Sequence, residues 1–246
     1  MKIGVADFGM NVWEGGLFDF EERLTNLSNI GYQGVERIEA ISADDAVRKA
    51  AMVRKAGLDF ATCRGPNAEV SILWTSALGM KYVWVTVTAK DFEGFCRQAT
   101  IQARACKRYG LDLAIHNHCG TPVETQGQLE EFLARCPDCG VLLDTGHLIA
   151  ANGDPVQIVK KYPTRIIAVH LKDLWRNISS AKKSEIPARR FCELSAGNTG
   201  RDNTDVIRTL KEIGYKNWIF VEQDTHLRDD LVDLATSYKY IQKALL

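Results

Sequence analysis

Four short segments of this 246-residue chain carry side chains able to hold and use a metal ion: His116-Asn117-His118, Asp144-Thr145-Gly146-His147, His170-Leu171-Lys172-Asp173 and Glu222-Gln223-Asp224. Each closes a short apolar, β-rich run, and four of the five histidines fall within them. Random placement rarely gives that distribution. Carboxylate and imidazole donors suit Mn²⁺, Co²⁺, Zn²⁺ or Fe²⁺, and one ligand from each of four neighbouring strands leaves positions open for substrate oxygens. The pattern predicts a catalytic metal. The fifth histidine, His226, reads as ordinary surface.

The elements that must position these groups repeat along the whole chain. Eight β-rich runs are expected at Ile3–Ala6, Gly34–Ile38, Asp59–Cys63, Tyr82–Val87, Leu113–His116, Val141–Asp144, Ile166–His170 and Trp218–Glu222. Helical segments lie between and after them, near 17–30, 43–56, 67–79, 91–109, 123–135, 155–161, 203–213 and 228–244. Glycines 31, 57, 79, 110 and 214 stand between helix and strand, where a left-handed C-cap is wanted. Asp154-Pro155 reads as an N-cap with proline at the first helical position, and Thr121-Pro122-Val123-Glu124 has capping-box spacing. No linker divides the chain, so residues 1–246 read as a single (β/α)8 TIM barrel, a fold of about 250 residues. In that fold the C-terminal strand ends share one mouth. Glu36, ending the second strand, and Arg64, just past the third, point there as candidate substrate hydroxyl binders. About thirty aperiodic residues after His170 carry Lys182, Lys183, Arg189 and Arg190, suited to covering an anionic or polyhydroxy substrate.

Composition narrows the function classes. Lys plus Arg and Asp plus Glu both number 31, so no net positive field exists to attract a phosphate backbone, and nucleic acid is not expected as a partner. No apolar run approaches the length of a membrane span, and the N-terminus lacks a signal sequence, so a cytoplasmic protein is expected. Seven scattered cysteines fit reduced thiols, and Cys136-Pro137-Asp138-Cys139 lacks the second pair that a zinc site needs.

Over nearly the whole chain, and most sharply from Leu111 to Asp224, the sequence resembles the xylose-isomerase-like sugar isomerase/epimerase superfamily, and most of all its inosose (2-keto-myo-inositol) dehydratases. The resemblance is carried by His116-Asn117-His118-Cys119-Gly120-Thr121, Leu142-Leu143-Asp144-Thr145-Gly146-His147-Leu148, Val169-His170-Leu171-Lys172-Asp173 and Val221-Glu222-Gln223-Asp224. It implies that Asp144, His170 and Glu222 are metal ligands and that His147 meets substrate oxygens. The epimerases it resembles carry a glutamate where this chain has His116. We therefore expect His116 as fourth ligand, with His118 as the fallback and otherwise a substrate-binding residue. Glu124 is expected in a cap.

One divalent ion is implied, with Mn²⁺ or Co²⁺ favoured and Zn²⁺ or Mg²⁺ as alternatives. The expected chemistry is proton abstraction α to the carbonyl of a keto-sugar or keto-polyol, catalysed by Glu222, His147 and Lys172, with Asp173 orienting His170 or Lys172. The outcome is dehydration, or alternatively isomerisation or epimerisation. A non-catalytic sugar-binding or scaffold barrel is the reading from another class. An endonuclease-IV-type nuclease is disfavoured, because the only Asp-x-His, Asp224-Thr225-His226, follows the last ligand glutamate. A short segment after Gly65 opens the pocket, leaving its wall for a second copy of the chain to complete in a homo-oligomer.

Overall fold

The computed structural model describes residues 1–6, 17–84, 87–177, 189–226 and 228–246. Numbered along the chain, the strands are β1 (Lys2–Val5), β2 (Gly34–Glu39), β3 (Asp59–Arg64), β4 (Tyr82–Trp84), β5 (Asp112–His116), β6 (Gly140–Asp144), β7 (Ile166–Leu171), β8 (Asp173–Arg176), β9 (Arg189–Cys192) and β10 (Trp218–Val221). All but β8 and β9 form one parallel sheet in the order β3-β2-β1-β10-β7-β6-β5-β4. Its edges β3 and β4 lie side by side, so the sheet is a nearly closed (β/α)8 barrel. The helices are α1 (Leu17–Ile30), α2 (Ala43–Lys55), α3 (Ala68–Ala77), α4 (Phe92–Arg108), α5 (Gln126–Arg135), α6 (Thr145–Ala150), α7 (Pro155–Lys161), α8 (Asn203–Glu212) and α9 (Asp230–Leu245). None of the described helices is long and apolar enough to cross a membrane.

The two-residue period of the strands divides the apolar residues into two cores. Side chains such as Val35, Val141, Val169, Ile219 and Val221 face outward and meet the helices in the larger cluster. Ala61, Tyr82, Ala114, Leu142, Ala168 and Phe220 fill the barrel interior. One inward step further along β4, β5, β6, β7 and β10 come Trp84, His116, Asp144, His170 and Glu222. The same alternation that buries the apolar plug thus lifts the chemical residues to one level at the mouth.

The structure revises several local expectations. The first turn of α5 is capped by Thr125, in a capping box with Gln128, and Thr121 lies outside the helix. Glu124 instead accepts from the Gly120 N–H. The cap at Asp154 is present, and glycines 31, 57, 79, 110 and 214 all have positive φ. The aperiodic stretch after His170 contains the antiparallel β8–β9 hairpin, with Arg189 and Arg190 on β9. Lys182, Lys183 and residues 85–86 of the expected fourth strand lie outside the described residues. Cys136 and Cys139 are buried and free, and their carbonyls accept from the Arg165 guanidinium, so the motif ends a helix.

Closure of the barrel between β1 and β3 depends on Gly34. A Cβ there would collide with the Asp59 carbonyl oxygen and stand 2.7 Å from the Trp218 ring. Backbone cannot yield without breaking the ladder. We expect Gly34→Ala to cost roughly 1–3 kcal/mol, the usual range for overpacking, read as a lower thermal midpoint. Gly127→Ala, on α5 with open space around its would-be Cβ, should not lower it.

Candidate metal centre

Asp144 is held from three directions. Asn117 clasps its backbone, accepting from the Asp144 N–H at 2.9 Å and donating to the Asp144 carbonyl at 3.0 Å. Its Oδ1 accepts from the His147 N–H at 2.7 Å as the N-cap of α6, which leaves Oδ2 to face the barrel axis. The following residues have separate duties. Thr145 Oγ1 accepts from the Lys172 N–H at 3.1 Å and so ties β6 to the strand end beyond β7. Gly146 leaves room for the Lys172 stem, which a Cβ would meet at 2.8 Å.

Around Asp144 Oδ2 the donors converge. His116 Nε2 lies at 3.2 Å, Lys172 Nζ at 3.3 Å and His170 Nδ1 at 3.8 Å. Glu222 Oε2 is 2.6 Å from His170 Nδ1 and 3.0 Å from Lys172 Nζ. One donor atom from each of His116, Asp144, His170 and Glu222 lies within 4.8 Å of the other three. Donors about 2.1 Å from one cation can be separated by up to about 4.2 Å, so a small contraction completes the shell. His170 Nδ1 and Glu222 Oε2, 2.6 Å apart, are buried without a hydrogen-bond partner. A buried nitrogen and a buried carboxylate oxygen left unpaired side by side fit metal ligands.

The charges point the same way. Asp144, Glu222 and Asp224 surround a single ammonium, Lys172, which is 1% exposed, and Glu36 pairs with His170. Burial opposes the ionisation of Asp144, but Lys172, His147 and the neighbouring His116 and His170 rings overcome it and hold the carboxyl well below the usual carboxylate range. For Glu222 burial is likewise outweighed, by Lys172 and His170. Burial disfavours charge on His170, yet Glu36 and Glu222 raise it above an ordinary imidazole. His147 goes the other way: burial, opposed by Asp144, pushes it down to about 3. Such a carboxylate-rich, water-excluded group with one fixed cation leaves charge for a dication to neutralise.

Not every expected site residue joins this group. His118 is exposed and donates Nδ1–H to its neighbour's carbonyl, with its ring 3.8 Å from that of His147, so His116 rather than His118 stands in the donor group. Glu36 is fully buried, 3.0 Å from His170 Nε2, behind that ring and away from the open mouth. Arg64 pairs with Glu39 at 3.2 Å on the rim. Asp173 orients neither His170 nor Lys172; it accepts from the Ser195 and Gly197 N–H groups and from Asn203, and so fixes the segment after the hairpin. His226 is not surface: its side chain is buried beside Asp233 at 3.2 Å.

Other neighbours went unnoticed in the sequence. Trp84 meets the His116 and His170 rings edge-on at 4.9 and 5.8 Å, and Phe191 of β9 packs 4.7 Å from both the His147 ring and Lys172 Nζ. Trp84 follows Tyr82 by two residues, a signal that was there to be used. Phe191 carried none.

The depressed His147 predicts a pH response of the metal-free protein. A histidine whose folded value lies below the ordinary 6.5 contributes stability that is present above pH 6.5 and is lost as pH falls toward 3. His170 has the opposite sign, and its contribution is complete below pH 6.5. The His147 ring should therefore stay neutral at about pH 5 by NMR, and His147→Gln should flatten the fall in thermal midpoint on acidification. A ring titrating near 6.5 would contradict the burial argument.

Comparison with known proteins agrees with the fold. Residues 24–243 match the model of the family described as xylose isomerase-like TIM barrel. An inosose dehydratase of Bacillus velezensis is 31% identical over 166 residues, covering 64% of this chain and 56% of that protein. The chain spans about half the length of the curated relatives it matches. Among solved structures, the probable 3-DHS dehydratase AsbF of Bacillus anthracis superposes with a TM-score of 0.75 at 12% identity, over 98% of this chain and 99% of that one. The IOLI protein, solved with a bound zinc atom, gives 0.66 at 19% identity over 100% and 95%. With eight parallel strands closing around a mouth of convergent donors, and a family match across nearly its whole length, this chain belongs to the xylose isomerase-like TIM barrel family.

Proposed function

We propose that the protein is a divalent-metal-dependent lyase that dehydrates a keto-sugar or keto-polyol in the manner of an inosose dehydratase. The observation that carries this reading is the buried group of His116, Asp144, His170 and Glu222 with Lys172 against both carboxylates. The relative named inosose dehydratase and the dehydratase among the structural neighbours support it.

A divalent ion held by those four side chains would polarise a ketone and stabilise charge beside it. Two nitrogen and two oxygen donors fit Mn²⁺ or Co²⁺ best, with Zn²⁺ as an alternative supported by the zinc-bound neighbour. Glu222, kept ionised by Lys172 and His170, is the carboxylate available to take the α-proton. The Lys172 ammonium compensates negative charge appearing on substrate oxygen and donates to the leaving hydroxyl, which departs as water. His147, neutral and 3.5 Å from Lys172 Nζ, binds a neighbouring hydroxyl. Isomerisation shares the first proton transfer and differs in where the proton returns.

Purified protein should contain one equivalent of divalent metal by elemental analysis, and should convert an inosose or keto-hexose to a product with new ultraviolet absorbance from an enone or diketone. Proton exchange without that absorbance would favour isomerisation; absence of bound metal would overturn both. Asp144→Asn or Glu222→Gln should abolish metal retention and turnover together, whereas Cys136→Ser, at a helix end, should change neither.

A further inference from the structure

We infer that Glu36 is a positioning residue for the metal centre, fixing the orientation and tautomer of His170, and not a substrate ligand. This rests on the metal-site reading above. Of the two His170 nitrogens, Nδ1 faces Glu222 Oε2 at 2.6 Å and Asp144 Oδ2 at 3.8 Å, so Nδ1 is the atom that shares the donor group. An imidazole giving its Nδ1 lone pair to a cation must carry its hydrogen on Nε2. Buried away from water, that hydrogen needs an acceptor. Glu36 Oε1, 3.0 Å from Nε2, is the carboxylate oxygen within ion-pair reach of it among the described residues, a close contact rather than an aligned hydrogen bond, since Nε2 has no hydrogen-bond partner.

Glu36 is itself fixed. The Tyr82 hydroxyl donates to the same Oε1 at 3.3 Å, from β4 across the barrel interior, and Tyr82 belongs to the apolar plug beneath the site. Trp84 bounds the His170 ring edge-on, and Phe220 lies 6.2 Å from it in a second edge contact. The ring can thus rotate only by leaving Glu36, and a flipped ring would withdraw Nδ1 from the cluster. Glu36 is 0% exposed and stands at the level of the plug, beneath the ligands. A hydroxyl-binding carboxylate would need the opposite placement. Anionic partners behind metal-bound histidines raise ligand basicity and hold the ring, and their loss commonly weakens metal binding ~10–100-fold.

The test is direct titration of metal-depleted protein with Mn²⁺ and with Co²⁺, read by calorimetry, alongside steady-state kinetics on the keto-polyol at saturating metal. Glu36→Gln keeps the shape and an acceptor oxygen but removes the charge, and should weaken metal binding by about 10-fold or more while KM stays close to that of the unmodified protein. Glu36→Ala should lose more affinity than Glu36→Gln, whereas a purely steric role would leave Glu36→Gln at the affinity of the unmodified protein. Tyr82→Phe should weaken the metal a few-fold through Glu36 with KM unmoved, and it carries the test alone if the Glu36 variants do not fold. Unchanged metal affinity with a raised KM in Glu36→Gln would overturn the inference and return Glu36 to the substrate. If the unmodified protein takes up no metal, the proposed function itself fails, which is a separate outcome.

Discussion

Burying several carboxylates within a few ångströms of each other is unfavourable unless cations share the space, and this constraint organises the mouth of the barrel. Asp144, Glu222 and Asp224 all lean on the Lys172 ammonium, and Glu36 leans on His170. Water cannot screen these charges, so each must be answered by a neighbour at hydrogen-bond distance. The arrangement tolerates, and in its donor geometry calls for, one more positive charge. A dication at the convergence of Asp144 Oδ2, Glu222 Oε2, His116 Nε2 and His170 Nδ1 would meet that demand.

Much of the surrounding structure serves to keep these few atoms in place. Asn117 grips the Asp144 backbone, Thr145 grips that of Lys172, and Gly146 gives the lysine stem room to pass. Each of these contacts links adjacent strand ends, so the ligand spacing is set by the barrel ladder rather than by flexible side chains. Trp84 and Phe220 confine the His170 ring, and Phe191 reaches over from the hairpin to cover His147 and Lys172. The interior plug of small alanines with Leu142, Tyr82 and Phe220 sets the depth at which the polar layer begins.

The fold was legible because parallel strands buried on both faces read as short apolar runs, and because helix ends carry local chemistry in caps and glycines. All eight barrel strands lie where those runs stand. The misreadings were of groups whose role depends on distant partners. Asp173 was assigned to its sequence neighbours, but its acceptors are filled by Ser195, Gly197 and Asn203, which the chain brings back from more than twenty residues away. His226 looked like surface until α9 folded Asp233 against it. The cap before α5 was placed four residues early because Thr121 and Thr125 both fit the pattern, and only the backbone path chooses between them.

What the sequence by itself determined is the donor chemistry at four strand ends, since a two-residue period and the position of a strand's last residue are local properties of the chain. What only the tertiary structure decided is which of those donors share one point. His116 joins the group and His118 does not; Glu36 stands behind His170, and Arg64 turns to Glu39 on the rim. Strand register and barrel curvature fix those separations to within an ångström or so, and both arise from packing summed over the whole ring, which no single segment encodes.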